Sequence, residues 1–421
     1  MHDPDSGNRP LRDPLTGLAL ANSAAMRRMR TELILVLIAG VAAIGAAPEL
    51  VGHNVRPVRR DATEERIRRL ELPSGFTIGV FARDLGKPRM MVVGDEGTVY
   101  VSRPDANDVV ALRTRDGRAE GEPRAVLSNL DKAHGLALAG GRLYVAGVKK
   151  VVAADLRSNG VVGEWRTVVD DLPDGGQHGK RTIGIGPDGM LYISIGSSCN
   201  TCDETNPEHA TILTAPLAGG RRSVFARGLR NTIGFAWHPD SKELWGMDHG
   251  SDWRGDDQPP EELNRLVEGA DYGWPLCFGD RQPDPFFDIE RVKDKATHCA
   301  RTQPPALGYQ AHSAPIAMVF YTGAQFPADY RDNAFVAMHG SWNRQPATGY
   351  KVVRIRFGNG QPTAFEDFLR GFLIEDGHAH FGRPAGLAVA KDGALLVSDD
   401  ANGVIYRVAY GAAASVGGAG R

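Results

Sequence analysis

Short apolar segments recur along most of the chain, and a glycine-containing turn joins each of them to a second apolar segment. Copies of this pattern begin at residues 90, 135, 184, 234, 317 and 386. Within a copy, apolar and polar positions tend to alternate, which is typical of a β-strand with one buried face. The first three intervals between copies are 45, 49 and 50 residues, the repeat length of a four-stranded propeller blade.

Six copies predict an all-β fold, a six-bladed β-propeller with four-stranded antiparallel blades. We interpret the two longer intervals, of 83 and 69 residues, as insertions on one face, chiefly residues 279–312 and 357–380. Residues 75–83 are expected to supply the missing strand of the last blade, because this closes the ring and removes exposed sheet edges. A pair of β-sandwiches is the alternative, which one period over about 320 residues disfavours.

Composition and charge agree with a turn-rich fold and exclude one class of partner. The 421 residues include 51 glycines and 26 prolines, and both residue types favour tight turns. The net charge is −2, and residues 1–60 carry +3 from eight arginines and five acids, so the rest of the chain carries −5. A mildly acidic body does not fit a nucleic-acid partner, since binding phosphates requires a basic surface.

An uninterrupted apolar run covers residues 33–47, shortly after Arg27, Arg28 and Arg30. This order of basic, apolar and small residues is typical of an export signal, and the run is short for a membrane-spanning helix. We predict an exported protein, periplasmic or secreted, with either a cleaved signal or a retained membrane anchor. A buried core helix is the other interpretation, and Met26 is an alternative start.

The predicted organisation has three parts. Residues 1–60 form the N-terminal extension with the export signal or membrane anchor, residues 61–413 form the propeller, and residues 414–421 form a flexible C-terminal tail. The expected assembly is a monomer or a homodimer.

The chain contains four cysteines, Cys199, Cys202, Cys277 and Cys299. An even number of cysteines in an exported protein indicates disulfides. Three pairings are possible, and we favour Cys199 with Cys202 and Cys277 with Cys299. Asp203, not histidine, follows Cys202, so covalent haem attachment is not supported.

Polar residues cluster where the predicted blades begin their first strands or end their second strands. In a propeller these positions converge on one end of the central channel, where binding sites form. The resulting surface would be a basic, hydrogen-bonding funnel suited to an anionic ligand. The residues at or near these positions are His178, Arg230, Asn231, His249, Asn343, Arg344 and Arg383.

Seven motifs in a fixed order resemble the soluble pyrroloquinoline-quinone (PQQ)-dependent sugar dehydrogenases, in the glucose/sorbosone or L-sorbosone dehydrogenase-like branch. The similarity covers roughly residues 65–410. The motifs are LPSGFTIGVFA, TIGIGPDGMLYISIG, GLRNTIGFAWHP, DHGSD, ELNRLVEGADYGWP, HGSWNR and GRPAGLAV. The family fold is a six-bladed propeller, which agrees with the repeat count.

The resemblance implies two cofactors, PQQ and Ca²⁺, and a role for each funnel residue. It implies His178 as the catalytic base, beside the pair Arg230 and Asn231. It places His249 next to the cofactor and assigns the backbone carbonyls of Gly250 and Ser251 to the calcium ion. For the carboxylates of PQQ it implies Arg383 and either Asn343 or Arg344. The family's second calcium site is not carried over, because the residues after YGWP differ.

The expected reaction is oxidation of an aldose sugar or a sugar aldehyde by hydride transfer to PQQ, with a neutral histidine as base. Electrons would then pass to an acceptor such as a cytochrome or a quinone. Two other functions remain as alternatives, a metal-dependent lactone hydrolase on a six-bladed propeller and a non-catalytic binding propeller. The basic blade ends disfavour the hydrolase, which needs carboxylate and amide ligands in the channel.

Overall fold

Four-stranded antiparallel sheets dominate the computed structural model, which describes residues 52–157 and 160–411. There are six such sheets in these two ranges. The apolar run at residues 33–47 and the tail at residues 414–421 lie outside the described residues, so both remain predictions. No helix in the described part of the chain is long and apolar enough to cross a membrane.

The first described elements are β1 (Val58–Arg59), α1 (Glu64–Arg68) and β2 (Phe76–Ala82). Three sheets then follow one another along the chain, each built from four consecutive strands. Their strands are β3 (Met91–Val93), β4 (Val99–Arg103), β5 (Asp108–Arg115), β6 (Arg118–Leu127), β7 (Leu136–Ala139), β8 (Arg142–Ala146), β9 (Val151–Asp155), β10 (Arg166–Val169), β11 (Ile183–Ile185), β12 (Met190–Ile195), β13 (Thr211–Pro216) and β14 (Ser223–Arg227).

The fourth sheet contains an excursion, and the fifth and sixth carry further short elements. The fourth sheet orders its strands β15-β16-β17-β20, and the hairpin β18–β19 and helix α2 lie between β17 and β20 in the chain. The remaining strands and helix are β15 (Gly234–Trp237), β16 (Leu244–Asp248), β17 (Glu261–Leu266), β18 (Cys277–Phe278), β19 (Gln282–Pro283), α2 (Lys295–Cys299), β20 (Leu307–Tyr309), β21 (Pro315–Phe320), β22 (Ala334–Met338), β23 (Lys351–Gly358), β24 (Gln361–Leu369), β25 (Leu373–Ile374), β26 (Ala379–His380), β27 (Pro384–Val389), β28 (Leu395–Asp399) and β29 (Val404–Tyr410).

The sixth sheet joins the two ends of the described chain. Its strand order is β2-β29-β28-β27, and β2 pairs antiparallel with β29, with Phe76 opposite Tyr410. This pairing confirms the prediction that residues 75–83 complete the last sheet. The pairing gives β29 a partner strand on both sides, so its backbone groups are not left unpaired to attract another strand.

The first strands of the six sheets contact one another in a closed circuit. Contacts join β3 to β7, β7 to β11, β15 to β21, β21 to β27 and β27 back to β3. Between β11 and β15, a Cβ on Gly184 would lie 2.7 Å from the Trp237 ring. Likewise, a Cβ on Gly135 would lie 2.6 Å from the Arg181 carbonyl oxygen. Glycine, which has no Cβ, therefore allows neighbouring sheets to approach each other at these positions.

The second strand of each sheet is buried on both faces, although alternation was expected from the sequence. β16, β22 and β28 are buried at every position. Such a strand lies between two neighbouring sheets and therefore reads as a continuous apolar run. The outer strand β6, by contrast, has no buried position, and its residues are exposed or half-buried without regular alternation.

The two long intervals have different causes. Residues 279–306 form an excursion, which contains α2 and is tied down by the Cys277–Cys299 disulfide, but residues 307–309 are β20, the fourth strand of the fourth sheet. The interpretation of residues 357–380 as an insertion is wrong in part. Gln361–Leu369 is β24, the fourth strand of the fifth sheet, paired along the eight-residue β23. The interval is long because the connections from β21 to β22, from β22 to β23 and from β24 to β27 are long.

Candidate active site

The predicted funnel residues lie at one end of the six sheets. Adjacent strands are antiparallel, so the start of a first strand and the end of the second strand share an edge. His178 and Arg230 precede β11 and β15, while His249 follows β16. Ser197, which follows β12, joins two of them, because its backbone N–H donates to the Arg230 carbonyl over 2.7 Å and its carbonyl lies 2.9 Å from His178 Nδ1.

The His178 ring has a defined tautomer in this network. A carbonyl oxygen can only accept, so Nδ1 carries the hydrogen and shares it between the Ser197 carbonyl and hydroxyl oxygens, both at 2.9 Å. Nε2 forms no hydrogen bond with any described residue and keeps its lone pair. Burial, followed by the positive charge of Arg230, lowers the pKa of His178 to about 3. The imidazole is therefore neutral near pH 7.

Arg230 is buried, with 4% of its surface exposed, and is held by three oxygen acceptors. Nε donates to the Asn200 carbonyl over 3.0 Å, and Nη2 donates to Asn200 Oδ1 over 2.9 Å and to Asp252 Oδ2 over 3.1 Å. Nη1 makes no hydrogen bond with a described residue. The edge of the guanidinium that carries Nε and Nη2 is thus held in place, and Nη1 keeps its hydrogens for another partner.

The side chains of His178 and Asn231 both approach the same residue, Gly196. A Cβ on Gly196 would lie 2.5 Å from His178 Cβ and 2.6 Å from Asn231 Oδ1. The buried Asp248 carboxylate fixes the backbone here, since Oδ2 accepts from Arg230 N over 2.9 Å and Oδ1 from Asn231 N over 2.8 Å. The structure therefore brings His178, Arg230 and Asn231 together, as the sequence predicts.

The segment after β16 contains His249, Gly250 and Ser251. Burial lowers the pKa of His249 to about 4, and its Nε2 donates to the Pro315 carbonyl over 2.6 Å. The Gly250 N–H donates to Glu261 Oε2 over 3.2 Å. The backbone carbonyl oxygens of Gly250 and Ser251 accept no hydrogen bond from any described residue, so both are free to bind a cation.

Buried acids surround this segment. Burial raises the pKa of Glu261 to about 8 and that of Glu262 to about 8. A cavity of about 20 Å³ lies beside them, with room for one water molecule, and Asp248, Gly250, Ser251 and Glu262 are among its lining residues. With pKa values of about 8, both carboxyls are mainly protonated and neutral at pH 7, and a nearby cation would favour their ionised form.

The side chains of Asn343 and Arg344 are both already bonded to acidic residues or to the backbone of the 256–257 loop. Asn343 Nδ2 donates to Asp252 Oδ1 over 2.7 Å, which joins it to the Arg230 cluster. The Arg344 guanidinium donates to the Asp256 carbonyl and forms an ion pair with Asp257 Oδ1 at 2.9 Å. The charge of Arg344 is therefore already paired with the 256–257 loop.

Arg383 keeps its charge unpaired in the described structure. Nε donates to the His339 carbonyl over 3.1 Å and Nη2 to the Gly340 carbonyl over 2.9 Å, and no carboxylate lies within ion-pair distance in the described residues. The guanidinium lies 5.6 Å from the centre of the Tyr350 ring. Neutral acceptors hold it in place without cancelling its charge.

Sequence reasoning missed two cations, Arg89 near Arg383 and Lys180 near Arg89. Arg89 Nη1 donates to Asp400 Oδ2 over 2.6 Å, and His339 Nε2 lies 2.9 Å from Asp400 Oδ1. Lys180 Nζ makes no hydrogen bond with a described residue, and the charge of Arg89, followed by burial, lowers the pKa of Lys180 to about 8. Arg89 is ion-paired with Asp400, whereas neither Lys180 nor Arg383 forms an ion pair in the described structure, which leaves excess positive charge.

The repeat itself contains the signal for some of the missed residues. Arg89 stands just before the first strand of the first sheet, where Arg383 stands before that of the sixth, and Asp400 follows β28 as His249 follows β16. Aligning the six copies position by position would have found both. Asn200 and Asp252 carry no such signal, because their role depends on contacts with Arg230 across 30 and 22 residues of chain.

Curated relatives share sequence with this chain to different extents. An uncharacterized protein of Borreliella burgdorferi is 30% identical over 365 residues, which cover 83% of this chain and 93% of that protein. A PQQ-dependent pyranose dehydrogenase of Coprinopsis cinerea is 32% identical over 168 residues, 32% of this chain and 22% of that protein. An aldose sugar dehydrogenase of Escherichia coli (strain K12) is 33% identical over 185 residues, 39% of this chain and 47% of that protein.

Solved structures match the fold more widely. A carbohydrate-active enzyme of family AA12 from Trichoderma reesei aligns with a TM-score of 0.69 at 23% identity, covering 81% of this chain and 97% of that chain. The holo PQQ domain of pyranose dehydrogenase from Coprinopsis cinerea aligns with a TM-score of 0.68 at 21% identity, with the same coverage of 81% and 97%. At these identities the likeness concerns the fold.

Together, the six sheets and the matching structures define an all-β protein of the β-propeller type. The profile of the TrAA12-like family matches residues 70–411. The chain belongs to the TrAA12-like family.

Proposed function

We propose that this chain is a PQQ- and calcium-dependent oxidoreductase on a six-bladed β-propeller, which oxidises an aldose sugar or a sugar aldehyde. The relatives named pyranose dehydrogenase and aldose sugar dehydrogenase support the class of substrate. One arrangement carries the proposal. His178 is a neutral base with a free Nε2, and Ser197 connects it to the partly free cation Arg230.

The excess cations fit the carboxylates of PQQ. Lys180 has no hydrogen-bond partner in the described structure, and Arg383 has only neutral ones. The charge of Arg89, followed by burial, lowers the pKa of Lys180, and burial lowers the pKa of Arg383. Carboxylates bind such cations through charge-assisted hydrogen bonds. We infer that Lys180, Arg383 and Arg89 would hold these groups. Asn343 and Arg344 contribute less, because Asp252 and Asp257 already occupy them.

The residues around Gly250 fit a calcium ion. Ca²⁺ prefers oxygen ligands and accepts backbone carbonyls. The carbonyls of Gly250 and Ser251 are free, and the buried Glu261 and Glu262 lie beside this segment. These two carbonyls would bind the ion, and the acids would stabilise its charge from a greater distance.

The chemistry of the protein groups follows from their hydrogen bonds. His178 Nε2 would take the hydroxyl proton of the sugar, and the resulting imidazolium would keep its Nδ1–H on Ser197. Arg230 Nη1 would stabilise the negative charge that develops on oxygen. When bound, PQQ supplies the two-electron oxidant that takes the hydride. An external acceptor, such as a cytochrome or a quinone, would remove the electrons.

A reconstitution assay tests this function. The purified full chain is loaded with PQQ and Ca²⁺, and dye reduction is followed with a panel of aldoses and sugar aldehydes. We expect reduction with at least one of them, and loss of the signal when PQQ is omitted or Ca²⁺ is chelated. No reduction with any member of the panel would overturn the proposal. Acid release from lactones without an electron acceptor would support the hydrolase alternative instead.

A further inference from the structure

The loop between β12 and β13 contains a small ring closed by the Cys199–Cys202 disulfide. Asn200 and Thr201 are the two residues inside it. The loop has no strand or helix at residues 196–202, so neither backbone ladder nor helical hydrogen bonds hold it. Closing a loop covalently restricts the conformations of the residues between the two cysteines, so the disulfide fixes Asn200.

Asn200 makes most of its hydrogen bonds to Arg230 and Asp252, and its carbonyl also accepts from Ser251 Oγ over 3.5 Å. The carbonyl oxygen accepts from Arg230 Nε over 3.0 Å, and Oδ1 accepts from Arg230 Nη2 over 2.9 Å. Oδ1 also accepts from the Asp252 backbone N–H over 2.8 Å, and Nδ2 donates to the Asp252 carbonyl over 3.1 Å. Through these four bonds Asn200 connects the guanidinium to the segment that follows Gly250 and Ser251.

The same ring also supports His178. The Ser197 hydroxyl donates to the Cys199 carbonyl over 2.7 Å and lies 2.9 Å from His178 Nδ1. On the far side of the ring, Thr201 Oγ1 accepts from Arg254 Nη2 over 3.2 Å. The ring therefore touches the supports of both the proposed base and the proposed oxyanion partner.

We propose that Asn200, held by the Cys199–Cys202 disulfide, is a positioning residue that orients Arg230 for the reaction. The expected loss of activity rests on the proposed function, whereas the contacts of Asn200 do not depend on it. Without the Asn200 side chain, Nη2 of Arg230 loses its bond to Oδ1 and keeps only Asp252, while Nε still donates to the backbone carbonyl of residue 200. The side-chain bonds that tie residue 200 to the Asp252 backbone are lost as well. The disulfide thus serves the active site as well as the stability of the loop.

A double-mutant cycle separates positioning from a general structural effect. We expect Asn200→Ala to lower kcat roughly 10- to 100-fold, because a hydrogen bond to the charged Arg230 guanidinium is lost, while KM for the sugar changes less than about threefold. In an Arg230→Gln background the same substitution should cost less than about threefold, since it acts through Arg230. Equal losses in both backgrounds would overturn the proposal.

The Cys199–Cys202 disulfide gives a second test. Cys199→Ser with Cys202→Ser should lower kcat, as Asn200→Ala does. In an Asn200→Ala background the same pair of substitutions should lower kcat by less than about threefold, because the disulfide acts through Asn200. Equal losses of kcat in both backgrounds would contradict the proposal. If the disulfide variant fails to fold, Asn200→Ala, which keeps both disulfides, decides.

A readout in the cofactor-free protein keeps this proposal separate from the proposed function. Hydrogen exchange at the Arg230 Nη2 hydrogens, measured by NMR, should be slow in the native chain and at least about tenfold faster in Asn200→Ala, which removes their Oδ1 acceptor. Unchanged exchange would overturn the positioning role even if the enzyme is active. If no sugar reduces the dye, the proposed function fails, and the exchange measurement still decides what holds Arg230.

Discussion

Nδ1 of His178 lies 2.9 Å from the Ser197 carbonyl oxygen, and this contact determines which ring nitrogen is basic. Because the carbonyl requires a donor, Nδ1 is protonated and Nε2 carries the lone pair. The same Ser197 donates its N–H to Arg230. A single residue therefore fixes the tautomer of the base and its position beside the cation.

Replacing the base tests its role directly. We expect His178→Gln to lower kcat by roughly 10²- to 10⁴-fold, the usual contribution of a general base. PQQ affinity should stay within about threefold, because no carboxylate partner is removed. Steady-state kinetics and an absorbance titration measure the two quantities. Retention of near-native kcat would show that another group takes the proton.

The protonation state of His178 is a second test. Burial and the charges of Arg230, His249 and Arg181 hold the pKa of His178 at about 3, and a backbone hydrogen bond to Ser197 opposes them only in part. A lowered pKa means that the ring stays neutral as the pH falls from 8 to about 4. NMR titration of the cofactor-free protein, with His178→Gln used to assign the resonance, measures this. An inflection near pH 6.5 would contradict the described environment.

PQQ binding should depend on Lys180. The unpartnered ammonium of Lys180 offers a charge-assisted hydrogen bond, so Lys180→Gln should weaken PQQ binding about tenfold. Lys391→Gln is the matched control, since exposed Lys391 lies in the turn between β27 and β28, at the opposite end of the sixth sheet from Arg383. The dissociation constant is read from an absorbance titration. Equal affinities for the two variants would remove Lys180 from the cofactor site.

Gly196 should be required for its small size. A Cβ there would lie 2.5 Å from His178 Cβ and 2.6 Å from Asn231 Oδ1. Gly196→Ala should therefore displace one of the two side chains and lower kcat at least about tenfold, with a loss of stability of about 1–3 kcal/mol. Gly79→Ala is the control, because a Cβ on Gly79 has nothing within 4 Å. Kinetics and urea denaturation of both variants give the comparison.

Local sequence patterns predicted much of the fold. The six copies gave six sheets, residues 75–83 completed the last one, and both disulfides follow the favoured pairing. The 69-residue interval was misinterpreted because a repeat spacing does not show where the extra residues lie. They lie in the connections from β21 to β22, from β22 to β23 and from β24 to β27.

The site was harder to predict because charge pairing depends on contacts through space. Arg344 and Lys180 are both cations in or near recognisable motifs, yet Arg344 is paired with Asp257 and Lys180 is not paired in the described structure. No sequence pattern marks Asn200 as a site residue, since its partner Arg230 lies 30 residues further along the chain. The sequence could name the residue types of the funnel, but not which of them remain available to a ligand.

The most direct test of PQQ-dependent sugar oxidation is a single-turnover experiment without oxygen or dye. The full chain is loaded with one equivalent of PQQ and with Ca²⁺, and the absorbance of the bound quinone is followed as an aldose or a sugar aldehyde is added. We predict that the quinone absorbance is lost in proportion to the sugar oxidised, and that His178→Gln slows this loss by roughly 10²- to 10⁴-fold. Bound quinone that keeps its absorbance with every sugar of the panel would contradict the account.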